Sequence, residues 1–512
     1  MLGSYVFTDP KGELYDKTAG FLKKNGYEIK VLNLVNPENS DGYNPLAHIN
    51  NEIDVDVIAN TIIRGQKSEG GASDPYWDNM SEMLLKALIY YLISRGVREE
   101  ENLVSCAEMV RAANTSGGSN MLTELMNQLP ADHPARINYK SIEVVAASEK
   151  TFSNILSSLQ SKLGKFDSKD ISEVTSTDTI NFEDIGSKKT AVYVISSDTH
   201  TAYDFLLTIF FSQMIQQLYN YADDNGGALK VPTYFILDEF ANIGKIPDFD
   251  KKISTSRSRK ISFSVILQNL DQLEAIYEKS YETIIGNCDT HLFLGSNSYK
   301  TVEYFSKALG EKTIERDSIS VSRDKQYFRT GQSTSDQVMA RALMTPDELR
   351  RMDNDLCIIF EKGIKPVKAN KFYYFKHRDM VNSLDKVKVS HNDIEELDRG
   401  TWRKFNPYNP WVEDTTEKQA ENLKVESLDD LFDETPAKKE EKPLATVGAI
   451  NNNNSNVEKK QGVSSLDSMF EDVSPVSDVK TENVQQENDE DSYDLQRELE
   501  AKFDELFGPM DD

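Results

Sequence analysis

Seven short β-forming runs, residues 5–8, 29–34, 191–196, 234–237, 261–267, 291–294 and 356–360, set the strongest limit on how this chain can fold. Most are continuously apolar, the pattern of strands buried on both faces, and amphipathic helical stretches such as 203–219 stand between them. Interleaving of this kind specifies an α/β fold with a parallel sheet and helical crossovers. Between the second and third runs, residues 49–178 hold no convincing strand. Asp74 and Pro75 fit an N-cap and a first helical position, and Trp77, Met80, Leu84, Leu88 and Tyr91 return on one helical face. Phe152, Ile155, Leu156, Leu159 and Leu163 repeat the period, so an all-α insertion is expected there, with Trp77 packed as core instead of standing as a base-stacking platform.

A chain of 512 residues exceeds one compact core. The expected division is an α/β core formed by residues 1–48 and 179–390, the helical insertion at 49–178, and a tail from 391 to 512. The most apolar stretch, 205–211, stops at Ser212 and Gln213, well short of a bilayer span, and no basic-then-apolar leader follows Met1. A cytoplasmic location is therefore the expectation. Cys106, Cys288 and Cys357 lie far apart and form no spaced cluster with the six histidines, which argues against a disulfide scaffold or a structural zinc.

The net charge of −27 is unevenly spread, because residues 413–512 hold 28 acids and 10 bases and leave 57 and 48 for the rest. The body is only mildly acidic and has room for local basic patches, whereas the tail should repel phosphate and favour basic protein partners. Polar composition, including Asn451 to Asn454, predicts a disordered tail. Within it LDDLF at Leu428 to Phe432, LDSMF at Leu466 to Phe470 and FDELF at Phe503 to Phe507 recur 38 and 37 residues apart. They read either as chance or as short partner-binding segments.

The segment TYFILDEFANIGKIP, Thr233 to Pro247, carries an apolar strand into two acids. In a Walker B arrangement Asp238 holds Mg²⁺ through water and Glu239 orients or deprotonates the water that attacks a γ-phosphate; the same pattern also occurs where a strand merely runs into a solvated turn. The strand at 261–267 ends at Gln268, where a RecA-like motor places a polar sensor. Arg257, eleven residues earlier with Arg259 and Lys260 beside it, reads as an arginine acting across a subunit interface, as a DNA-phosphate contact, or as part of a solvated loop. GxxxxGK[ST] occurs nowhere in the sequence, so the phosphate cradle of a Walker A loop is missing from it.

These segments in this order resemble the TraG/TraD family of type IV secretion coupling proteins, which are conjugal transfer ATPases. The resemblance runs from SYVFTDPKGE (Ser4 to Glu13) through Tyr43-Asn44-Pro45, Asp74 to Trp77, Ser148 to Thr151, LDEFANIGKIP and Arg257 to Arg259, then on to Gln268, Gly286 to Cys288 and LMTPDEL (Leu343 to Leu349). It implies a RecA-like P-loop NTPase motor core, an all-α domain facing the substrate-delivering complex, and ATP with Mg²⁺ as cofactors. Asp238 matches the magnesium-side acid, Glu239 the catalytic acid, Gln268 the sensor and Arg257 a finger acting in trans, while Asp9 and Lys11 match a signature with no assigned role. The family places a membrane anchor and a Walker A segment ahead of the part matching Tyr5 to Glu13, so this chain is expected to lack both. The implied function is ATP-driven delivery of single-stranded DNA and its relaxase to a type IV secretion channel. Its partners are relaxosome and channel proteins, its complete form is a homo-hexamer, and its place is the cytoplasmic face of the membrane. The rival is a non-hydrolysing adaptor that binds relaxosome or channel proteins through the helical domain and tail.

Overall fold

A computed structural model describes residues 3–65, 75–113, 120–146, 148–197, 203–323, 330–395 and 397–408, with 316–337 as backbone. Asp74 and the three tail repeats lie outside the described residues. The first five apolar runs form β1 (Ser4–Thr8), β2 (Glu28–Asn33), β3 (Thr190–Ile195), β4 (Thr233–Leu237) and β5 (Ile261–Val265). They pair in parallel as one sheet in the order β2-β3-β1-β4-β5. Side chains alternate between its faces. Phe7, Val31, Tyr193 and Ile195 meet Ala19 and Leu22 of α1 (Glu13–Lys24). Val6, Leu32, Val192, Val194, Phe235 and Leu237 face the other way, into a core shared with α10 (Asp204–Asp224).

Among its described residues the connection from β2 to β3 contains helices and loops but no strand: α2 (Glu52–Arg64), α3 (Pro75–Arg95), α4 (Leu103–Ala112), α5 (Met121–Asn127), α6 (Pro134–Ala146), α7 (Glu149–Leu163), α8 (Lys169–Ser176) and α9 (Phe182–Ser187). Both expected helical faces point inward. Leu84, Leu88 and Tyr91 are buried with Trp77 and Met80 packed against them, and Phe152, Ile155, Leu156, Leu159 and Leu163 are all buried. Such an insertion must leave and rejoin one sheet edge, and the two crossing segments are tied to each other. Gly42 N–H donates to Thr179 Oγ1 at 3.0 Å, Thr179 N–H to the Gly42 carbonyl at 3.0 Å, and Tyr43 N–H to the Val174 carbonyl at 2.8 Å. Tyr43 is fully buried; its hydroxyl donates to Gln213 Oε1 at 2.5 Å and its ring meets Phe210 edge-on, which anchors the crossing on α10.

Two expectations need correction. The runs at 291–294 and 356–360 are strands β6 (Thr290–Phe293) and β9 (Leu356–Glu361), but they stand outside the parallel sheet, in an antiparallel sheet ordered β10-β9-β6. Its third strand, β10 (Val367–Asn370), was not anticipated. A continuous apolar run reports burial but not direction, and the short connection from β9 to β10 permits only antiparallel pairing. The hairpin of β7 (Glu311–Arg323) and β8 (Thr330–Ala342) was also unanticipated, since its serine-rich sequence has no apolar run. The remaining helices are α11 (Phe249–Thr255), α12 (Leu270–Tyr277), α13 (Tyr281–Gly286), α14 (Tyr299–Leu309), α15 (Pro346–Arg350) and α16 (Arg378–Asp385). Among the described residues no helix is long and apolar enough to cross a membrane.

Phe210 lies fully buried between Tyr43, Phe182 and Phe211, so Phe210→Ala is expected to destabilise the fold by about 3–5 kcal/mol in urea denaturation. Asp204 at the start of α10 has its carboxyl pushed up to about 6 by burial, against the partial help of Lys165. Its folded form therefore holds a proton that the unfolded form releases in the ordinary carboxylate range, and its contribution to stability falls as pH rises towards about 6. Denaturation of Asp204→Asn across that window should lack this component of the pH dependence.

Candidate functional site

The carboxyl ends of parallel strands collect the loops that follow them, and here the ends of β1, β4 and β5 lie side by side. Leaving β4, Asp238 is half-buried and Glu239 adopts φ 48°, a left-handed conformation uncommon outside glycine. The hydrogen-bond ladder explains that strain. Ile266 N–H donates to the Leu237 carbonyl at 3.0 Å and Phe240 N–H to the Ile266 carbonyl at 3.1 Å, so the chain turns sharply over the end of β5 while staying bonded to it. The turn aims Glu239 at Gln268, whose Nε2 donates to both carboxylate oxygens at 2.9 and 3.1 Å. Thr8 Oγ1 donates to the Asp238 carbonyl at 2.6 Å, and Asp238 Oδ1 accepts from Glu239 N–H at 3.1 Å. Burial holds the Asp238 carboxyl above its usual range; the Glu239 amide lowers it and the Glu239 charge raises it.

The rest of the LDEFANIGKIP segment is packing that fixes this turn. Phe240 is fully buried and stacks on Tyr277, whose hydroxyl accepts from Ile246 N–H at 3.1 Å. Gly244 has φ 81°, and a Cβ there would lie 2.7 Å from Thr208 Oγ1, the hydroxyl that donates to the Ile243 carbonyl at 2.6 Å. Thr8 and Gln272 are partners that sequence reasoning missed; Gln272 Oε1 accepts from Gln268 N–H at 3.3 Å. Position alone could have flagged Thr8, as the last residue of a strand immediately before Asp9.

Arg257 does not join these groups. It precedes β5, whose far end carries Gln268, so the strand alone separates them by roughly 15 Å. Its side chain is 94% exposed, 3.9 Å from the Asp289 carboxylate. Arg259, by contrast, is committed within the fold, clamping Asp223 through two hydrogen bonds of 3.0 Å over the Tyr219 ring.

The two acids at these strand ends have the chemistry to face a hydrated Mg²⁺. Asp238 and Glu239 supply carboxylate oxygens, and since no group of three or more potential ligands converges on a metal position among the described residues, an ion there would need water and phosphate oxygens as well. The phosphate side does not fit. The strand-loop-helix that joins β1 to α1 through Pro10, Lys11 and Gly12 has the right order, but the Asp9 carboxylate already accepts from Tyr15 N–H at 2.8 Å and from the Leu14 amide. Those are helix-start amides that a phosphate would use. Asp9, buried and held above its usual range by that burial, is thus a structural cap, which gives the signature acid a role within the fold.

The sequence model of the family described as type IV secretory system conjugative DNA transfer matches residues 1–396. A probable conjugal transfer protein TraG of Sinorhizobium fredii (strain NBRC 101917 / NGR234) is 23% identical over 386 residues, covering 74% of this chain and 59% of the relative. Protein VirD4 of Rhizobium radiobacter is 28% identical over 212 residues, 41% of this chain and 30% of the relative. This chain therefore spans less than two thirds of the length of these relatives. The solved plasmid coupling protein TrwB, in complex with the non-hydrolysable ATP analogue ADPNP, shares the fold at TM-score 0.51 and 16% identity, over 78% of this chain and 82% of that one. TrwB in complex with ADP and Mg²⁺ also gives TM-score 0.51, over 72% and 78%.

Gly244→Ala is expected to cost about 1–3 kcal/mol in urea denaturation, since it forces a side chain into a left-handed backbone against Thr208. Gly400→Ala, also at positive φ but in open space, serves as the comparison that isolates the contact.

Proposed function

Since the chain belongs to the type IV secretory system conjugative DNA transfer family, we propose that it supplies the acid and sensor half of the nucleotide site in a coupling protein, a motor delivering single-stranded DNA and its relaxase to a secretion channel. The pairing of Glu239 with Gln268 across the ends of β4 and β5 carries this reading. A carboxylate held by an amide at a strand end can orient a water, and the amide can report what lies beyond it. Mg²⁺ when bound would supply charge neutralisation of phosphate, with Asp238 on its water shell.

The missing phosphate cradle has a position that suits it. β5 is an edge strand of the parallel sheet, and β6 belongs to a separate sheet. Arg257 near the start of β5 approaches Asp289 at the start of β6, while beyond their far ends Leu270 N–H donates to Thr301 Oγ1 at 3.0 Å. Ile266, Leu292 and Leu294 are exposed along these strands. A parallel strand seated between them would deliver its following loop beside Gln268. The exposure of Arg257 suits action on a neighbouring subunit's site in a ring.

In a protein that joins this chain to a relative's Walker A strand, loop and helix, DNA-stimulated ATP turnover is expected, and Glu239→Gln should lower it by at least about a hundredfold. Mixing Glu239→Gln with Arg257→Ala subunits should recover part of the activity at mixed interfaces. Mixtures that co-assemble yet stay inactive would rule out the trans role of Arg257. Turnover by the chain as it stands, lost on Glu239→Gln, would show that it holds phosphates by itself.

A further inference from the structure

In a chain with 85 acids and 58 bases, residues 362–378 hold six cations, Lys362, Lys365, Lys368, Lys371, Lys376 and Arg378, and not one acid. Four consecutive aromatics, Phe372 to Phe375, stand in the same stretch. Its backbone runs from the β9–β10 turn along β10 and into α16. β10 is an edge strand, so the stretch lies at the margin of its sheet. Phe372 is 68% exposed and Phe375 60% exposed, with Ile364 and Val367 exposed at the other end. Burying these rings elsewhere in the described fold was open to the sequence, because Phe360, on the neighbouring strand β9, packs into the core of the same sheet.

The local contacts keep the rings presented. Lys371 N–H donates to the Asp355 carbonyl at 2.7 Å and Tyr373 hydroxyl to Asp355 Oδ1 at 2.8 Å, which pins the segment to the turn before β9 and occupies that carboxylate. Phe372 stacks on His377 at 4.6 Å while staying largely exposed, and Phe375 lies against Tyr373 and Tyr374. Lys362 approaches Asp289 at 3.9 Å, but among the described residues Lys365, Lys368, Lys371, Lys376 and Arg378 enter no ion pair. Lys376 sits over the Tyr373 ring and the rest are directed to solvent or half-exposed. Other nearby acids are Asp353 beside Tyr373, Glu361 immediately before Lys362, Asp379 and Asp385 on α16, and Glu13, which pairs with Lys17 beside Tyr374.

We propose that this stripe of β10 and the start of α16 binds single-stranded DNA. Cations spaced along an extended backbone match a phosphate chain, and exposed ring faces match unstacked bases, whose π-faces are available only when the strand is single. From Lys365 to Phe372 the extended chain covers roughly 20 Å, enough to engage several successive nucleotides. The surface rests on the proposed function only for the choice of DNA as the nucleic acid, and it requires nothing of the nucleotide site.

The test is fluorescence anisotropy of labelled oligothymidylate with the full chain, with duplex DNA of the same length alongside. Phe372→Ala with Phe375→Ala should weaken single-strand binding at least about tenfold, because each exposed ring offers a stacking face to one base. The same pair should change duplex binding little. Lys365→Ala with Lys368→Ala should reduce the slope of log affinity against log salt by about 0.7 for each phosphate that is no longer neutralised. Because both pairs are exposed, unchanged circular dichroism and thermal midpoint are expected and verify the fold. Unchanged oligothymidylate affinity in the phenylalanine variant overturns the proposal. So does ring-dependent binding of phosphatidylserine vesicles, or of the chain's own acidic segment 413–512 as a peptide, without binding of oligothymidylate. ATP turnover is not read, so failure of the Glu239 experiment leaves this one standing.

Discussion

The fold depends on one constraint, that a chain which leaves a parallel sheet for a long helical excursion must return to the strand position next door. β2 and β3 are neighbours in the sheet, yet helices α2 to α9 lie between them in sequence. The reciprocal bonds between Gly42 and Thr179 and the burial of Tyr43 against Gln213 and Phe210 hold departure and return together on α10. Gly42 has no room for a side chain, since a Cβ there would lie 2.4 Å from Thr179's neighbour Thr177 at its Oγ1. Because β3 then pairs with β1, and β1 with β4, the register that brings Thr8 to the Asp238 carbonyl is inherited from that crossing.

The acid pair shows how backbone hydrogen bonding and chemistry are coupled. Glu239 stays in a left-handed conformation because Leu237 and Phe240 on either side of the acid pair are both bonded to Ile266 just past β5, and the same bonds direct its carboxylate to Gln268. Strain of this kind persists when surrounding contacts over-determine it. Here they come from Phe240, Ile243 and Ile246 in the core and from the Thr208 hydroxyl beneath Gly244. The apolar residues of the motif therefore hold the geometry while its two acids stand at the end of β4.

Charge follows a separate plan. The acids concentrated after residue 413 set the net value of the whole chain, but they leave a body in which a basic, aromatic stripe stands at a sheet edge. Electrostatic attraction decays over about 10 Å at moderate salt, so a ligand at that edge responds to the local cations more than to the total. Acidity of the whole chain thus does not argue against contact with nucleic acid at one place.

Sequence by itself determined the seven apolar strand segments, the helical character of the stretch between β2 and β3, the acid pair at the end of β4, the polar residue after β5 and the lack of GxxxxGK[ST]. These are legible because burial repeats every two residues in a strand and every three or four in a helix, and because motif chemistry is local. The parallel direction of β1 to β5 was legible from their interleaving with helices, but strand order and membership of the second sheet were not, since hydrogen-bond ladders use the backbone common to all residues: β6 and β9 have the same apolar texture as β4 but pair antiparallel in another sheet. Tertiary structure alone decided that Gln268 grips Glu239, that Asp9 is spent on capping α1, and that Arg257 stands at the opposite end of β5 from the acids. Each is a meeting of residues set by where strands end in space, a property that no stretch of sequence contains.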